Sequence, residues 1–248
     1  MMNYRLRYLP LYATAWITSV LHAQQPCSEE VKLLLSPAQV QSAIPVLHAA
    51  GEAQGRIYFY DTPSLDLLTK GVILRLRAGA EIDLTAKLRP LNGEKFNDPS
   101  KGRERYKCEV DLNDGIENQS YSVESRYPST KEPETGEELF KLLSDGQKQL
   151  LSDSKVQIDW KLVKRIVDIQ STSWTARANP PLGKLSLELW EWPGGTILEL
   201  SAKTTPDAGK TTYAELRILA QRNNLTLSTT QRSKTAITLE AITASHRH

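Results

Sequence analysis

Charged side chains occupy alternate positions in four short stretches of this chain, and a β-strand carries such a set on a single face. The stretches are Ser28-Glu29-Glu30-Val31-Lys32, Arg75-Leu76-Arg77, Lys87-Leu88-Arg89, and the series Arg103, Arg105, Lys107, Glu109 and Asp111. Val31, Leu33, Leu35, Leu74, Leu76 and Leu88 project from the opposite faces. An ordinary half-buried strand turns its charges to water and its apolar side to one core. Here several strands carry mostly basic faces with a few carboxylates among them. That pattern fits a sheet closed around a polar lumen, its apolar outside covered by helices. Such a lumen suits a polyanion accompanied by a divalent metal.

Length and charge narrow the field. A chain of 248 residues suffices for one substantial domain or a single large barrel, and no repeat, low-complexity tract or linker divides it. The net charge is +2, yet residues 1–23 hold Arg5 and Arg7 and no acid. Without them, 29 basic side chains remain, against 29 acidic ones. A neutral mature chain is a poor partner for a nucleic-acid duplex, so anion binding must come from local segregation of charge. No P-loop or Rossmann glycine pattern occurs, and a phosphate site would have to be built from side chains. His22, His48, His246 and His248 have no metal or triad spacing, and Trp174, Trp190 and Trp192 read as packing residues.

Arg5 and Arg7 precede a largely apolar stretch from Leu9 to Leu21, and His22-Ala23-Gln24 follows as a cleavage region. This is the plan of a secretory signal peptide over residues 1–23. It is shorter and more interrupted than the roughly 20 apolar residues of a spanning helix. The expectation is an exported protein, periplasmic or secreted, with no stable membrane insertion after cleavage. Export gives meaning to the only two cysteines, Cys27 and Cys108. Cys27 shares the parity of Val31, and Cys108 that of Tyr106 and Val110, so both point away from the charged faces. One reading is a disulfide joining the first strand to the strand at 103–112. The other is lipid modification of Cys27, for which the preceding Ala-Gln-Gln-Pro is a poor recognition sequence.

Periodicity predicts strands at about 28–35, 56–61, 72–78, 83–89, 103–112, 162–175, 185–191 and 196–203. Trp192-Pro193-Gly194-Gly195 reads as the turn between the last two. Helices are predicted from Ser36-Pro37 to about residue 50, over 137–151, and at about 210–223 and 231–243. Residues 90–102 read as a loop and 113–134 as an irregular polar excursion. The expected class is α+β, a closed antiparallel eight-stranded β-tunnel with flanking helices.

Tyr58-Phe59-Tyr60-Asp61-Thr62-Pro63, Leu67-Leu68, and Gly71-Val72-Ile73-Leu74-Arg75-Leu76-Arg77 together resemble the signature of the CYTH, or triphosphate tunnel metalloenzyme, superfamily. In that family the stretch follows a Glu-x-Glu-x-Lys strand and precedes a strand carrying Lys. Glu30 with Lys32, and Thr85-Ala86-Lys87-Leu88-Arg89, stand at those places. The resemblance implies that residues 24–248 form one tunnel domain that hydrolyses a triphosphate or polyphosphate with Mg²⁺ or Mn²⁺. It assigns Lys32, Arg75, Arg77, Lys87, Arg89, Arg103, Arg105, Lys107 and Lys203 to the phosphates. Glu30, Glu109, Glu188 and Glu199 would hold the metal, with Asp111 as a further candidate, and Glu30 and Lys32 would stand at the reacting centre. Arg suits this task because its planar fork takes two phosphate oxygens, while hard divalent ions take oxygen ligands and bridge to phosphate.

The chain departs from the family twice. Ser28 replaces the first Glu, and the late Glu-x-Glu-x-Lys reads Glu199-x-Ser201-x-Lys203. A hydroxyl contributes no negative charge, so the metal half of the site is thinned while the cationic half is intact. Two functions follow: metal-dependent hydrolysis, or a non-catalytic module binding polyphosphate or another small phosphorylated ligand.

Overall fold

The structure, a computed structural model, describes residues 27–89, 102–126, 131–205 and 207–245. The leader expected at 1–23 and nearly all of the loop expected at 90–102 lie outside the described residues. Nine strands form one closed barrel: β1 (Ser28–Leu35), β2 (Ala50–Asp61), β3 (Val72–Ala78), β4 (Ile82–Leu88), β5 (Arg105–Asn113), β6 (Ile116–Arg126), β7 (Lys164–Arg177), β8 (Lys184–Trp192) and β9 (Gly195–Thr204). Around the barrel their order is β1-β5-β6-β4-β3-β2-β7-β8-β9. All neighbours are antiparallel except β1 and β5, which run parallel.

The expectation of eight antiparallel strands therefore fails in two respects. The additional strand is β6, which lies inside the stretch read as an irregular excursion. Its inward positions Ser120, Ser122 and Glu124 are polar, and only Tyr121 and Val123 on its other face join a hydrophobic cluster. A strand with so few apolar residues is held by its two ladders, to β4 and β5, rather than by a greasy face. The parallel pair arises because β1 lies in the seam between β5 and β9.

Among the described residues six α-helices accompany the barrel, α1 (Val40–Val46), α2 (Asp66–Thr69), α3 (Gly136–Leu142), α4 (Asp145–Asp153), α5 (Gly209–Arg222) and α6 (Lys234–Ser245), with a 3-10 turn at Pro37–Gln39 ahead of α1. The helix expected over 137–151 is two helices, each opened by a reciprocal capping box, Thr135 with Glu138 and Ser144 with Gln147. The second box stops α3 at Leu142 by satisfying the first amides of a new helix. Among the described residues no helix is long and apolar enough to cross a membrane.

Parity sorts the side chains as the alternation requires. Val31, Leu33 and Leu35 pack outward with Leu187, Leu189, Leu198 and Leu216 of α5. Leu74, Leu76, Leu84, Ala86 and Leu88 pack outward on the other side with Leu139 of α3 and Leu150 of α4. A third cluster differs in kind. Ile57, Phe59, Ile73, Val167, Ile169 and Trp190 share the inward parity of Arg75 and Glu188, and they pack against Leu239 and Ile242 of α6. The lumen is thus half charged and half apolar, and the last helix is seated on its apolar part rather than on the barrel's outside.

The segment that carries the family resemblance is mainly scaffold. Tyr58 and Tyr60 face outward into the second cluster, and only Phe59 among them faces the lumen. Asp61 accepts backbone N–H groups from Thr62 at 2.7 Å, Leu67 at 2.9 Å and Leu68 at 2.9 Å. Three amides that would otherwise be unpaired fix the turn from β2 into α2, and with it the start of β3.

Candidate functional site

The ladder registers bring the alternating charges together. Thr85 and Lys87 of β4 stand opposite Arg75 and Ile73 of β3, and opposite Glu124 and Ser122 of β6. Glu109 and Asp111 of β5 stand beside Ser28 and Glu30 of β1, whose other neighbours include Lys203 and Ser201 of β9. The resulting cavity has a volume of about 70 Å³, and Lys32, Arg75, Lys87, Arg89 and Asp111 share its lining with the apolar Phe59, Ile73 and Trp190.

Asp111 is the hub of one side. Its side chain is 4% exposed; Lys32 Nζ donates to it at 2.7 Å, Lys87 Nζ lies at 3.7 Å and Arg89 Nη2 at 3.9 Å. Burial by itself would raise its carboxyl, but the charges of Lys32 and Lys87 outweigh that and hold it at about 2. Glu30 lies 3.2 Å from Lys32 and accepts from Ser201 Oγ at 3.0 Å. Desolvation works against the Lys32 ammonium, yet Asp111 and then Glu30 raise its pKa well above the ordinary lysine value. Lys32 is therefore a charge locked between two carboxylates.

The opposite wall is less well matched. Arg75 donates to Thr85 Oγ1 at 3.2 Å and reaches Glu124 only at 3.9 Å, and Arg89 donates to Ser233 Oγ at 3.1 Å. The Nε atoms of Arg75, Arg77 and Arg89 are buried and make no hydrogen bond. Burial lowers the pKa of Arg75, Lys87 and Arg89, and the carboxylates nearby do not restore it. These cations hold charge that the protein has not fully compensated.

The carboxylates assigned to a metal are otherwise engaged. Glu109 lies 3.5 Å from Lys87. Glu188 and Glu199 face each other across β8 and β9, but Lys234 of α6 comes between them, bonded to Glu188 and 2.7 Å from Glu199. Ser171 Oγ at 3.0 Å and Trp190 Nε1 at 2.8 Å also donate to Glu188. Burial opposes the ionised form of Glu188; Lys234 and then Arg77 outweigh it and hold the carboxyl far below its ordinary range. Among the described residues no three His, Cys, Asp or Glu side chains converge as a metal cluster. The donor set does not fit a divalent ion as it stands, because an ammonium already serves each pair of carboxylates.

Of the residues expected at the site, Lys32, Arg75, Arg77, Lys87 and Arg89 line the interior. Lys107 pairs with Glu124 at 2.7 Å, and Arg105 pairs with the same carboxylate at 3.4 Å with 65% of its side chain exposed, so both stand nearer the mouth. Lys203 is exposed at the end of β9. Arg103 is not part of the lining: it lies in the turn ahead of β5 and is exposed, the alternation having run past the start of the strand. Cys27 and Cys108 are disulfide-bonded, with their Cα atoms 4.6 Å apart. Sequence reasoning missed Glu124, which a period-two reading of Ser120, Ser122 and Glu124 could have found. It also missed Lys234, for which the sequence holds no such signal.

No family model and no curated protein matches the chain by sequence. Solved structures do. HpAC1 from Hippeastrum, an adenylyl cyclase candidate that reveals a dominant triphosphatase activity, superposes with a TM-score of 0.57 at 20% identity, over 84% of this chain and 93% of that one. An adenylate cyclase candidate from Bacillus halodurans superposes with a TM-score of 0.55 at 14% identity, over 85% and 96%. The chain has the CYTH triphosphate-tunnel fold. At these identities the tunnel fold is what the two share with it, and the side chains inside have to be read on their own. The tunnel here has a basic wall on β3 and β4, and lysines pair with the carboxylates of its other side.

Proposed function

We propose that the tunnel binds a short phosphate chain, a triphosphate or a polyphosphate segment, on the wall formed by Arg75, Arg77, Lys87 and Arg89. The observation that carries this reading is the set of three buried, unpartnered guanidinium Nε atoms at that wall. Each has an N–H to donate, and a phosphate oxygen is the acceptor whose charge would offset the burial of the cation behind it. Phe59, Ile73 and Trp190 flank the same cavity, lower its dielectric and strengthen whatever charge pairing forms inside. Lys107, Arg105 and Lys203, nearer the mouth, would draw the anion in. Calorimetric titration with tripolyphosphate in the presence of a chelator tests the proposal. One site per chain is expected, with an affinity that falls as salt is raised. Absence of binding at low salt would remove the reading.

Metal-dependent hydrolysis is the second reading, favoured by the triphosphatase activity of HpAC1 on the shared fold. It would require Glu30, Glu109, Glu188 and Glu199 to exchange their lysines for Mg²⁺ or Mn²⁺, an ion that would polarise the phosphoryl group. Phosphate release from tripolyphosphate with and without those ions, followed on the same samples, separates turnover from binding.

We also propose that the protein is exported, on the leader pattern at 1–23 and on the disulfide, a bond that persists in oxidising compartments. Mass measurement of the chain from whole cells should find it beginning after Ala23. A full-length, reduced chain in the cytoplasm would count against export.

A further inference from the structure

The C-terminal helix delivers a charge to a place the barrel strands leave acidic. Glu188 and Glu199 are direct cross-strand partners with the same inward parity, and like charges so placed repel across a strand pair. Within the barrel Arg77 offsets part of this from 3.7 Å on the Glu188 side, but among the described residues no barrel cation forms an ion pair with Glu199. Lys234, the first residue of α6, does so: its ammonium bonds Glu188, lies 2.7 Å from Glu199 and sits 4.5 Å from the centre of the Trp190 ring. Its side chain is 12% exposed. The helix behind it is anchored by Leu239 and Ile242 in the apolar half of the lumen, and Trp190 both underlies the ammonium and donates to Glu188. Carboxylates, ring and helix together fix the ammonium.

We propose that Lys234 is the tunnel's resident cation, standing between the two carboxylates where a divalent ion would otherwise bind, so that the tunnel takes its phosphate chain without metal. The proposal rests on the reading of the tunnel as a phosphate-chain site, and it concerns the side of the cavity facing the arginine wall. A divalent ion and an ammonium cannot both occupy the space between Glu188 and Glu199, since at such separations inside the barrel their repulsion is large. The ammonium is tethered and the ion is not, so the ion is the one excluded. Glu188, Glu199 and Lys234 together carry one net negative charge, so the group opposes an anion less than the bare carboxylate pair would, and the ammonium faces Arg75 and Lys87 across the cavity. Ser28 and Ser201 fit the same picture: with no divalent ion to hold, the carboxylates the family carries at those two places are unnecessary.

Mn²⁺ alone and tripolyphosphate alone are the probes, applied to the full-length protein. Wild-type protein should show no tunnel-bound Mn²⁺ in paramagnetic resonance or calorimetry at concentrations up to about 1 mM, and Lys234→Met and Lys234→Gln should each acquire a Mn²⁺ site at least tenfold tighter. Adding Glu188→Gln to either variant should abolish the new site, and Lys234→Arg should behave as wild type. Tripolyphosphate should bind wild-type protein equally well before and after exhaustive chelation, and three- to tenfold more weakly to Lys234→Gln. A wild-type Mn²⁺ site that Glu188→Gln weakens overturns the assignment, and that measurement needs no Lys234 variant to fold. If wild-type protein binds no tripolyphosphate at all, the phosphate-chain reading fails, while the Mn²⁺ measurements still decide what Lys234 does.

Discussion

Asp111→Ala is expected to lower the free energy of unfolding by about 2–3 kcal/mol, less than the cost of stranding a buried charge outright, because Lys32 keeps Glu30 at 3.2 Å and Lys87 keeps Glu109 at 3.5 Å. The loss is large because one 4%-exposed carboxylate compensates three cations, Lys32, Lys87 and Arg89, all of which stay behind when it goes. Urea titration measures it, as a shift in midpoint at unchanged slope. Asp111→Asn should lose nearly as much, since it keeps the shape and removes the charge. The same carboxylate sets an acid limit. Its pKa of about 2 in the folded protein lies below the ordinary 3.8, so its contribution is complete above about pH 4 and is lost as pH falls toward 2. That contribution is on the order of 2 kcal/mol, and the acid limb of the stability profile should flatten in the variants by a like amount. Tripolyphosphate should restore part of the stability of Asp111→Ala, because it brings negative charge to the cations the variant exposes. A loss under about 1 kcal/mol would mean that water reaches Lys32 and Lys87 freely, and the hub would not be one.

Replacing both Arg75 and Arg89 by Ala is expected to weaken tripolyphosphate binding about 10³-fold. Each charge-assisted fork to a phosphate contributes about 2 kcal/mol, and two of them amount to roughly 4. Stability should move the other way from Asp111→Ala. Both arginines are buried with an unpartnered Nε and a pKa lowered by desolvation, so removing them from the ligand-free protein should leave its midpoint unchanged or raise it. Loss of binding without loss of stability separates a ligand-facing cation from a structural one. Lysine at the two positions should recover only part of the affinity, since a point charge lacks the paired donors. Arg103→Ala, in the exposed turn before β5, serves as the control and should bind as wild type. Undiminished affinity in the double variant would place the anion elsewhere.

What the sequence made legible depended on whether a residue's role is written in strand parity. Lys32, Arg75, Arg77 and Lys87 were readable because charged and apolar side chains alternate around them, with Glu29 and Leu34 of the first strand as exceptions, and the barrel obeys that alternation. The disulfide was open as one of two readings for the same reason: Cys27 and Cys108 share the outward parity, and the β1–β5 register sets Ser28 beside Glu109. Strand β6 was not legible, because serines on its inner face make an ordered strand resemble a loop. The apolar half of the lumen was concealed by the same rule in reverse. Ile57, Phe59 and Ile169 look like outward core residues until the registers place them inside with α6. Lys234 reaches the cavity from a helix, where a period of two says nothing, and only the packing of that helix shows it.

The position of β1 has a bearing on how such a chain is made. Its two neighbours are β5 and β9, so the first strand to emerge during synthesis is the last whose pairing can be completed. Until β9 exists, one edge of β1 is an open ladder, the kind of surface that pairs with other chains. The bond from Cys27 to Cys108 spans 81 positions and can form once β5 is present, long before β9. Oxidation can therefore act as a clasp during biogenesis, holding the early strand in register while the remainder of the barrel is delivered to it.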